Sequence, residues 1–198
     1  MSLINNNENQ RIIVLGGAFS TGKSTMIDQI KHDFGDQFTY IMDGGREILE
    51  TYGTTPENLS HNELQHVQRA IMAHYLREEK EALKTQKTVV SDGSLVEVAA
   101  YSQFILEPRD FQRLDAELRY RSFKNLYKYV KFPASVPIEL DGVRHEDEEF
   151  RKLIDKRIDR VLEKNTFDVV RIMSDEFCER YAQVLPVLFQ DTFHRGNT

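Results

Sequence analysis

The feature that most constrains this chain is a glycine-bounded loop between an apolar segment and an amphipathic one. Residues 17–25 read GAFSTGKST and fit the pattern G-x-x-x-x-G-K-[ST]. The apolar residues of segment 11–15 precede the loop, and segment 26–30 follows it with apolar residues at helical spacing. Loops of this pattern are phosphate sites when they join a strand to a helix. The flanks meet that requirement, whereas a glycine-rich turn with a chance lysine, the alternative, would not need them.

The residue types in the loop predict a nucleoside triphosphate site. Glycine lets the backbone curl so that its N–H groups converge on phosphate oxygens. Lys23 adds a positive charge towards the β- and γ-phosphates, and Ser24 offers a hydroxyl to Mg²⁺. The positive end of the following helix also favours an anion. The residues predicted to hold the nucleotide are Gly17, Ala18, Phe19, Ser20, Thr21, Gly22, Lys23, Ser24 and Thr25.

Composition predicts an ordinary soluble chain rather than a nucleic-acid or membrane protein. Of the 198 residues, 40% are hydrophobic and 29% are charged, with a net charge of −6, which disfavours general nucleic-acid binding. No apolar run approaches the length of a membrane span. The single cysteine, Cys178, excludes an internal disulfide and suits a reducing compartment. We therefore expect a cytoplasmic location.

The ends of the chain differ from the middle. Residues 1–10 are polar and contain three consecutive asparagines, so we expect a disordered or artificial start rather than a signal peptide. A single domain is predicted over residues 11–191, followed by a loose tail over 192–198. Oligomeric state is left open, with a homodimer among the options.

Strand-like and helix-like segments alternate along the domain. Besides segment 11–15, strands are predicted at residues 38–42, 88–91, 127–132 and 167–173. Helices are predicted at 24–34, 61–84, 95–105, 111–123 and 147–164, with a last helix capped by Ser174 and kinked or broken by Pro186. This alternation predicts a three-layer α/β domain with a five-stranded, mostly parallel sheet.

Two acids follow predicted strands and are candidates for the reaction centre. Asp43 and Arg46 follow the second strand, and Asp92 follows the third. In a parallel sheet both positions lie at the edge that carries the phosphate loop. Asp92 suits a Mg²⁺ ligand beside Ser24, and Asp43 and Arg46 suit an acceptor site. The alternatives are that either acid caps the next helix and that Arg46 pairs with Glu50 on its surface.

Charged runs elsewhere are interpreted as solvated surface. The run 77–81, REEKE, is predicted to be an ion-paired face of a helix. Between residues 119 and 131, five cations occur without an acid, and most are predicted to be solvated, while one or two could face a substrate phosphate or an acidic partner. These are Arg119, Arg121, Lys124, Lys128 and Lys131.

A lid is predicted around residues 133–147, between the fourth strand and the next helix. An arginine on a lid can stabilise the charge that develops on the phosphoryl group in the transition state of transfer, and closure of the lid excludes water. Arg144 is the candidate for that role. The alternative is a surface arginine paired with Glu146 or Asp147.

Four ordered pieces of sequence also carry a family resemblance. They are the loop at Gly16–Thr25, Asp43 with Arg46-Glu47, Asp92, and the Pro-x-x-x-Asp-Gly-x-Arg segment at Pro137–Arg144. Across nearly the whole chain they resemble the P-loop domain of the ribosylnicotinamide kinase part of the NAD regulator NadR and of related NadR/Ttd14-type proteins. The resemblance implies a nucleoside-kinase-like fold and an ATP-dependent kinase acting on a nucleoside-like hydroxyl.

The hypothesis from the sequence is phosphoryl transfer from ATP–Mg²⁺ to a small acceptor. Lys23 and the loop hold the phosphates, Ser24 and Asp92 hold the metal, Asp43 orients or deprotonates the acceptor, Arg46 binds it, and Arg144 closes over it. One alternative is a nucleotide switch with a protein or lipid partner, and another is a stand-alone ATPase. No base-reading motif is visible, so GTP remains an option beside ATP.

Overall fold

The computed structural model describes residues 11–53, 55–135 and 147–189. Within these ranges five strands alternate with seven α-helices. In chain order they are β1 (Ile12–Gly16), α1 (Lys23–Phe34), β2 (Phe38–Ile41), α2 (Gly44–Tyr52), α3 (His61–Ala82), β3 (Thr88–Asp92), α4 (Leu95–Ser102), α5 (Pro108–Phe123), β4 (Tyr127–Lys131), α6 (Glu148–Lys164), β5 (Asp168–Arg171) and α7 (Phe177–Phe189).

The strands form one sheet in the order β2-β3-β1-β4-β5, and every neighbouring pair is parallel. β1 lies in the centre, where Leu15 is in register with Asp92 of β3 and Gly16 with Lys131 of β4. Since all strands run the same way, their carboxyl ends share one edge, which is where parallel α/β sheets bind ligands. The predicted five-stranded α/β sheet is confirmed.

Alternate residues of β1 build two separate cores, one on each face of the sheet. Ile12 and Val14 pack in a cluster with apolar residues of α2 to α6. Ile13 and Leu15 pack in a second cluster with residues of α1 and α7. All four side chains are at most 3% exposed, as expected for a strand covered on both faces. The domain therefore has three layers, as predicted.

Several helix boundaries differ from the prediction for local reasons. α5 begins at Pro108, three residues before its predicted start, because proline suits the first turn, where its missing N–H costs nothing. α4 ends at Ser102. α7 begins at Phe177 and continues through Pro186 to Phe189, so of the kink or break predicted at Pro186 the break does not occur. The capping box that opens α3 is present, with Ser60 and Glu63 bonded reciprocally.

Two charged surfaces predicted from the sequence are partly buried. Glu79, within the run 77–81, is 2% exposed and accepts from the guanidinium of Arg121 at 2.6 Å. Tyr127 donates to the same carboxylate. Lys131 is 6% exposed and pairs with Asp159 at 2.6 Å. The prediction of a solvated face is wrong for Glu79, because a guanidinium distant in sequence lies against it. Of the five cations, most of which were predicted to be solvated, Arg121 and Lys131 are buried because each faces a carboxylate distant in sequence.

Three of the predicted segments lie outside the residues that the structure describes. The polar start over 1–10, the tail over 192–198 and the core of the lid with Arg144 lie outside the described residues. None of the helices in the described ranges has the length and apolarity needed to cross a membrane.

Candidate functional site

The loop between β1 and α1 has the backbone geometry that a phosphate cradle needs. Gly17 has φ +142° and Gly22 has φ +80°, values that side chains with a Cβ rarely adopt. A Cβ on Gly17 would also lie 2.9 Å from the carbonyl oxygen of Phe132. Gly22 is the N-cap of α1 without a side-chain cap, so the first N–H groups of the helix are left to the loop and what it binds.

Lys23 is the first residue of α1, and its side chain folds back over the loop. Its ammonium donates to the carbonyl oxygens of Ala18 at 2.7 Å and Gly17 at 3.2 Å, and to Oγ1 of Thr21 at 3.2 Å. The residue is 8% exposed. The positive charge is therefore held within the loop itself, where phosphates bind in loops of this pattern.

Ser24 and Asp92 meet between α1 and the end of β3. Oγ of Ser24 donates to Oδ2 of Asp92 at 2.6 Å. Asp92 is 1% exposed, and it does not cap α4, since Oγ of Ser94 accepts from the N–H of Val96 in that role. Of the two alternatives for Asp92, capping of the next helix is thus excluded.

The Ser24–Asp92 pair suits a magnesium ion. A hydroxyl and a carboxylate are hard oxygen donors of the type that Mg²⁺ prefers. In the part of the chain that the structure describes, no cluster of three or more His, Cys, Asp or Glu side chains could hold a metal. An ion at this pair would therefore take its remaining ligands from phosphates and water, as Mg²⁺ does in nucleotide sites.

Tyr75 of α3 supports the backbone of Asp92. Its hydroxyl donates to the Asp92 carbonyl at 2.7 Å. Burial, together with the carboxylates of Asp43, Asp92 and Glu97, raises the pKa of Tyr75 well above its ordinary value. The hydroxyl therefore keeps its proton and remains a donor.

Glu97 of α4 supports the first residue of the loop. Its Oε1 accepts from the N–H of Gly17 at 3.0 Å and from the hydroxyl of Tyr129. Its Oε2 accepts from Oγ of Ser94 at 2.9 Å. Because each carboxylate oxygen has a donor, the buried Glu97 side chain is fixed in place and links α4, β4 and the loop.

Two arginines from the last helices donate to carbonyl oxygens of the loop. Arg151 of α6 donates to the Ser20 carbonyl at 3.4 Å and pairs with Glu148 at 2.7 Å. Arg180 of α7 donates to the Thr21 carbonyl at 2.9 Å. They are 2% and 6% exposed. The loop is therefore surrounded by three buried cations when Lys23 is included.

Asp43 and Arg46 lie at the start of α2. Oδ1 of Asp43 accepts from the N–H of Gly45 at 3.0 Å and of Arg46 at 3.3 Å, so Asp43 is the N-cap of α2. Both side chains also line the cavity described next. Capping and an acceptor role are therefore compatible for Asp43.

A cavity of about 440 Å³ opens beside the loop. Its charged lining residues are Lys23, Asp43, Arg46, Glu57, Asp92 and Glu97. Its apolar and aromatic walls come from the phosphate loop, from α2, α3, α4 and α6, and from the segments that follow α2 and α4. The residues are Phe19, Leu49, Pro56, Leu59, Leu64, Val67, Ile71, Tyr75, Val98, Tyr101, Ile105 and Phe150. A volume of this size fits a small organic molecule, and an apolar pocket with a few polar or charged groups is typical of ligand sites.

The structure brings together most of the residues predicted for the site. Lys23, Asp43, Arg46 and Asp92 line the same cavity, and Ser24 contacts Asp92. Arg144 lies outside the described residues. The sequence analysis missed Tyr75, Glu97, Arg151 and Arg180. Glu97 lies in the first turn of α4, shortly after Asp92, and could have been suspected. Helical spacing marks Tyr75 as inward-facing without indicating a role at the site, and no local pattern marks the two arginines.

Solved structures with the same fold include nucleotide and nucleoside kinases and NadR. The NadR protein in complex with NR is similar with a TM-score of 0.71 and 17% identity over 93% of this chain and 52% of that one. The chain thus spans about half the length of the NadR chain. Thymidylate kinase from Ehrlichia chaffeensis has a TM-score of 0.60 and 16% identity, over 90% of this chain and 98% of that one. Deoxyadenosine kinase from M. mycoides has a TM-score of 0.59 and 14% identity, over 92% of this chain and 99% of that one.

The family of this chain is identified by a match between its sequence and a family model. No curated protein matches the chain. A family model described as an AAA domain, AAA_28, matches residues 12–180, a range that includes β1, the phosphate loop, Asp92 and Arg180. That range is well over half of the 198 residues, so this chain, which has the P-loop kinase-like fold of the NadR domain, belongs to this AAA domain family.

Proposed function

We propose that this chain is a small-molecule kinase that transfers the γ-phosphate of ATP to a hydroxyl of an acceptor bound in the cavity. One observation carries the proposal. The phosphate loop and the Ser24–Asp92 pair adjoin a largely apolar cavity of about 440 Å³ that is lined by further charged side chains. A nucleotide switch has no need of such a cavity beside its phosphates, whereas a kinase has to hold a second substrate there.

The phosphates would be held by the loop and by Lys23. The backbone N–H groups of residues 17–25 and the start of α1 provide donors and a positive field, and Lys23 adds a full charge. Ser24 and Asp92 would hold Mg²⁺, which when bound neutralises charge on the β- and γ-phosphates. ATP is favoured as the first nucleotide to test, and GTP remains the alternative.

The acceptor would be held by the residues at the start of α2. Arg46 binds polar groups of the acceptor, and Asp43 orients the attacking hydroxyl or removes its proton. Asp43 is already fixed by its bonds to the N–H groups of α2, which favours an orienting role. Arg144 remains the predicted lid arginine.

The transfer forms a bond between the acceptor oxygen and the γ-phosphorus and breaks the bond from that phosphorus to the β,γ-bridging oxygen. ADP leaves, and the hydroxyl proton passes to a carboxylate or to water. The transition state of such transfers is loose, so positioning and charge neutralisation carry most of the catalysis. Apolar walls around the acceptor help because they exclude water, which would otherwise hydrolyse ATP.

A nucleoside-like molecule is the acceptor that the relatives and the cavity favour. The NadR structure is a complex with NR, and the M. mycoides deoxyadenosine kinase structure contains the product dCMP. In this chain the aromatic rings of Phe19, Tyr75, Tyr101 and Phe150 line the cavity. Planar rings pack well against aromatic side chains.

A phosphotransfer screen tests the proposal. The purified chain is incubated with Mg²⁺ and either ATP or GTP, together with nucleosides, nucleotides and riboside vitamins, and products are measured by mass spectrometry. A phosphorylated acceptor is expected. Nucleotide hydrolysis without any phosphorylated acceptor would contradict the proposal and favour a switch or a stand-alone ATPase.

A further inference from the structure

Arg180 is a buried cation beside the phosphate loop, and no charged partner for it lies among the described residues. The residue is 6% exposed, and the one hydrogen bond that its guanidinium makes within the described ranges runs from Nη1 to the Thr21 carbonyl at 2.9 Å. Its Nε is buried and has no hydrogen-bond partner in the same part of the chain. The ring of Phe177 lies 6.0 Å away, at the outer limit of a cation–π contact.

No acid in the described part of the chain neutralises this charge. Arg180 forms no ion pair there, whereas Arg151, the other arginine at the loop, pairs with Glu148. The first turn of α1 contains no acidic residue. A buried charge without a counter-ion is costly. A cation beside the positive end of a helix adds to that cost.

The guanidinium lies directly on the loop because Gly22 has no side chain. A Cβ at Gly22 would be 2.9 Å from Nη1 and 3.5 Å from Nη2 of Arg180. The next two residues are Lys23 and Ser24, which are proposed to hold the phosphates and the metal. The charge is also held rigidly, since Val184, Val187 and Leu188 of α7 are buried against the sheet and α1.

We propose that Arg180 binds the phosphate chain of the nucleotide. A polyanion bound at the loop would neutralise the positive charge of Arg180, for which the described part of the chain provides no acid. A guanidinium is well suited to phosphate oxygens. This inference rests on the proposed function, because it assumes that the loop binds a nucleoside triphosphate. It adds a phosphate ligand from α7, 159 residues from Thr21 along the chain.

Binding of ATP–Mg²⁺ and of tripolyphosphate to the full chain tests the inference. Titration calorimetry at low and at high salt compares the wild type with Arg180→Met, which keeps the length of the side chain and removes its charge. Arg157→Met is the matched control, since it also removes one positive charge, from a side chain 4.6 Å above the ring of Phe104. Thermal midpoints without ligand show whether each variant is folded.

The expected result is a loss of affinity in Arg180→Met that depends on salt. At low salt the affinity for both ligands should fall about 10- to 100-fold, as for a lost charge-assisted hydrogen bond. At high salt the difference from wild type should shrink, because ions screen the charge. Arg157→Met should bind within about twofold of wild type, as expected for a remote, screened charge.

Other outcomes overturn the inference in distinguishable ways. An equal loss at both salt concentrations would make Arg180 a mechanical support of the Thr21 carbonyl. A loss confined to ATP, with tripolyphosphate unaffected, would place it at the base or ribose. Unchanged binding in Arg180→Met would refute the inference alone, whereas failure of the wild type to bind either ligand would refute the proposed function as well.

If Arg180→Met does not fold, Arg180→Lys replaces it. That variant keeps the charge and should retain salt-dependent binding; a folded Arg180→Lys whose binding no longer depends on salt as in wild type overturns the inference.

Discussion

Asp92 shows how several contacts fix one carboxylate at the site. Its position at the end of β3 places it beside the phosphate loop, Ser24 donates to its side chain, and Tyr75 donates to its carbonyl. None of these contacts lies close to Asp92 in sequence. A carboxylate held in this way suits metal binding, because little rearrangement is needed when the ion arrives.

Asp92→Asn should lower the affinity for Mg²⁺ and slow phosphotransfer. The amide keeps the size of the side chain and can still accept a bond from Ser24, but it has lost the negative charge that attracts the ion. We expect the Mg²⁺ concentration at half-maximal rate to rise about 10- to 100-fold, as measured by rates at saturating ATP over a range of Mg²⁺. An unchanged Mg²⁺ dependence would exclude Asp92 as a metal residue.

The residues that could be predicted at this scale are those with a local signal. Lys23 and Ser24 belong to a motif whose spacing has a mechanism, and Asp92 follows a recognisable strand. Glu97 and Arg180 contact the same loop, but their bonds join residues 80 and 159 positions apart. Such contacts depend on how α4 and α7 pack against the sheet, which no local pattern specifies.

α3 forms one wall of the cavity and anchors the structure elsewhere. Its residues Leu64, Val67, Gln68, Ile71 and Tyr75 line the cavity. They recur at helical spacing, a pattern that indicates the inward-facing side of a helix. Periodicity does not show whether a neighbouring element fills the space in front of that side, so the cavity could not be predicted from it.

Leu64→Trp should block the acceptor without affecting the nucleotide. The indole would enter the cavity, and overpacking of a filled site costs about 1–3 kcal/mol. We expect the KM for the acceptor to rise roughly 10- to 100-fold with an unchanged Kd for ATP. His66→Trp, on the exposed side of the same helix, is the control. Equal acceptor kinetics for the two variants would place the acceptor outside the cavity.

The same helix carries Glu79, whose pairing with Arg121 of α5 should contribute strongly to stability. Both side chains are at most 6% exposed, so removing the cation leaves a buried carboxylate without its counter-charge. Arg121→Met should lower the free energy of unfolding by about 3–5 kcal/mol, measured by urea denaturation. Arg119→Met removes an exposed cation that pairs with Asp115, and it should change the free energy of unfolding by less than about 1 kcal/mol, because Asp115 keeps its ion pair with Lys164. Similar values for both variants would show that burial does not strengthen the first pair.

At the scale of the whole molecule, the elements that carry the site meet at one edge of the sheet, where the parallel strands end. β1 lies between β3 and β4, so the loop after β1 is flanked by Asp92 on one side and by the end of β4 on the other. Alternation of strands and helices predicted the parallel sheet and its three layers. The strand order could not be predicted in the same way, because each strand has enough apolar residues to occupy several positions in the sheet.

Comparison of the wild type with Lys23→Ala in a phosphotransfer assay tests the central claim most directly. The assay follows the γ-phosphate of labelled ATP into an acceptor identified by the screen. The wild type should produce phosphorylated acceptor, and Lys23→Ala should produce none above background, because the charge over the phosphates is lost. Phosphorylation of the acceptor by Lys23→Ala at the wild-type rate would contradict the assignment of this loop as the phosphoryl-transfer site.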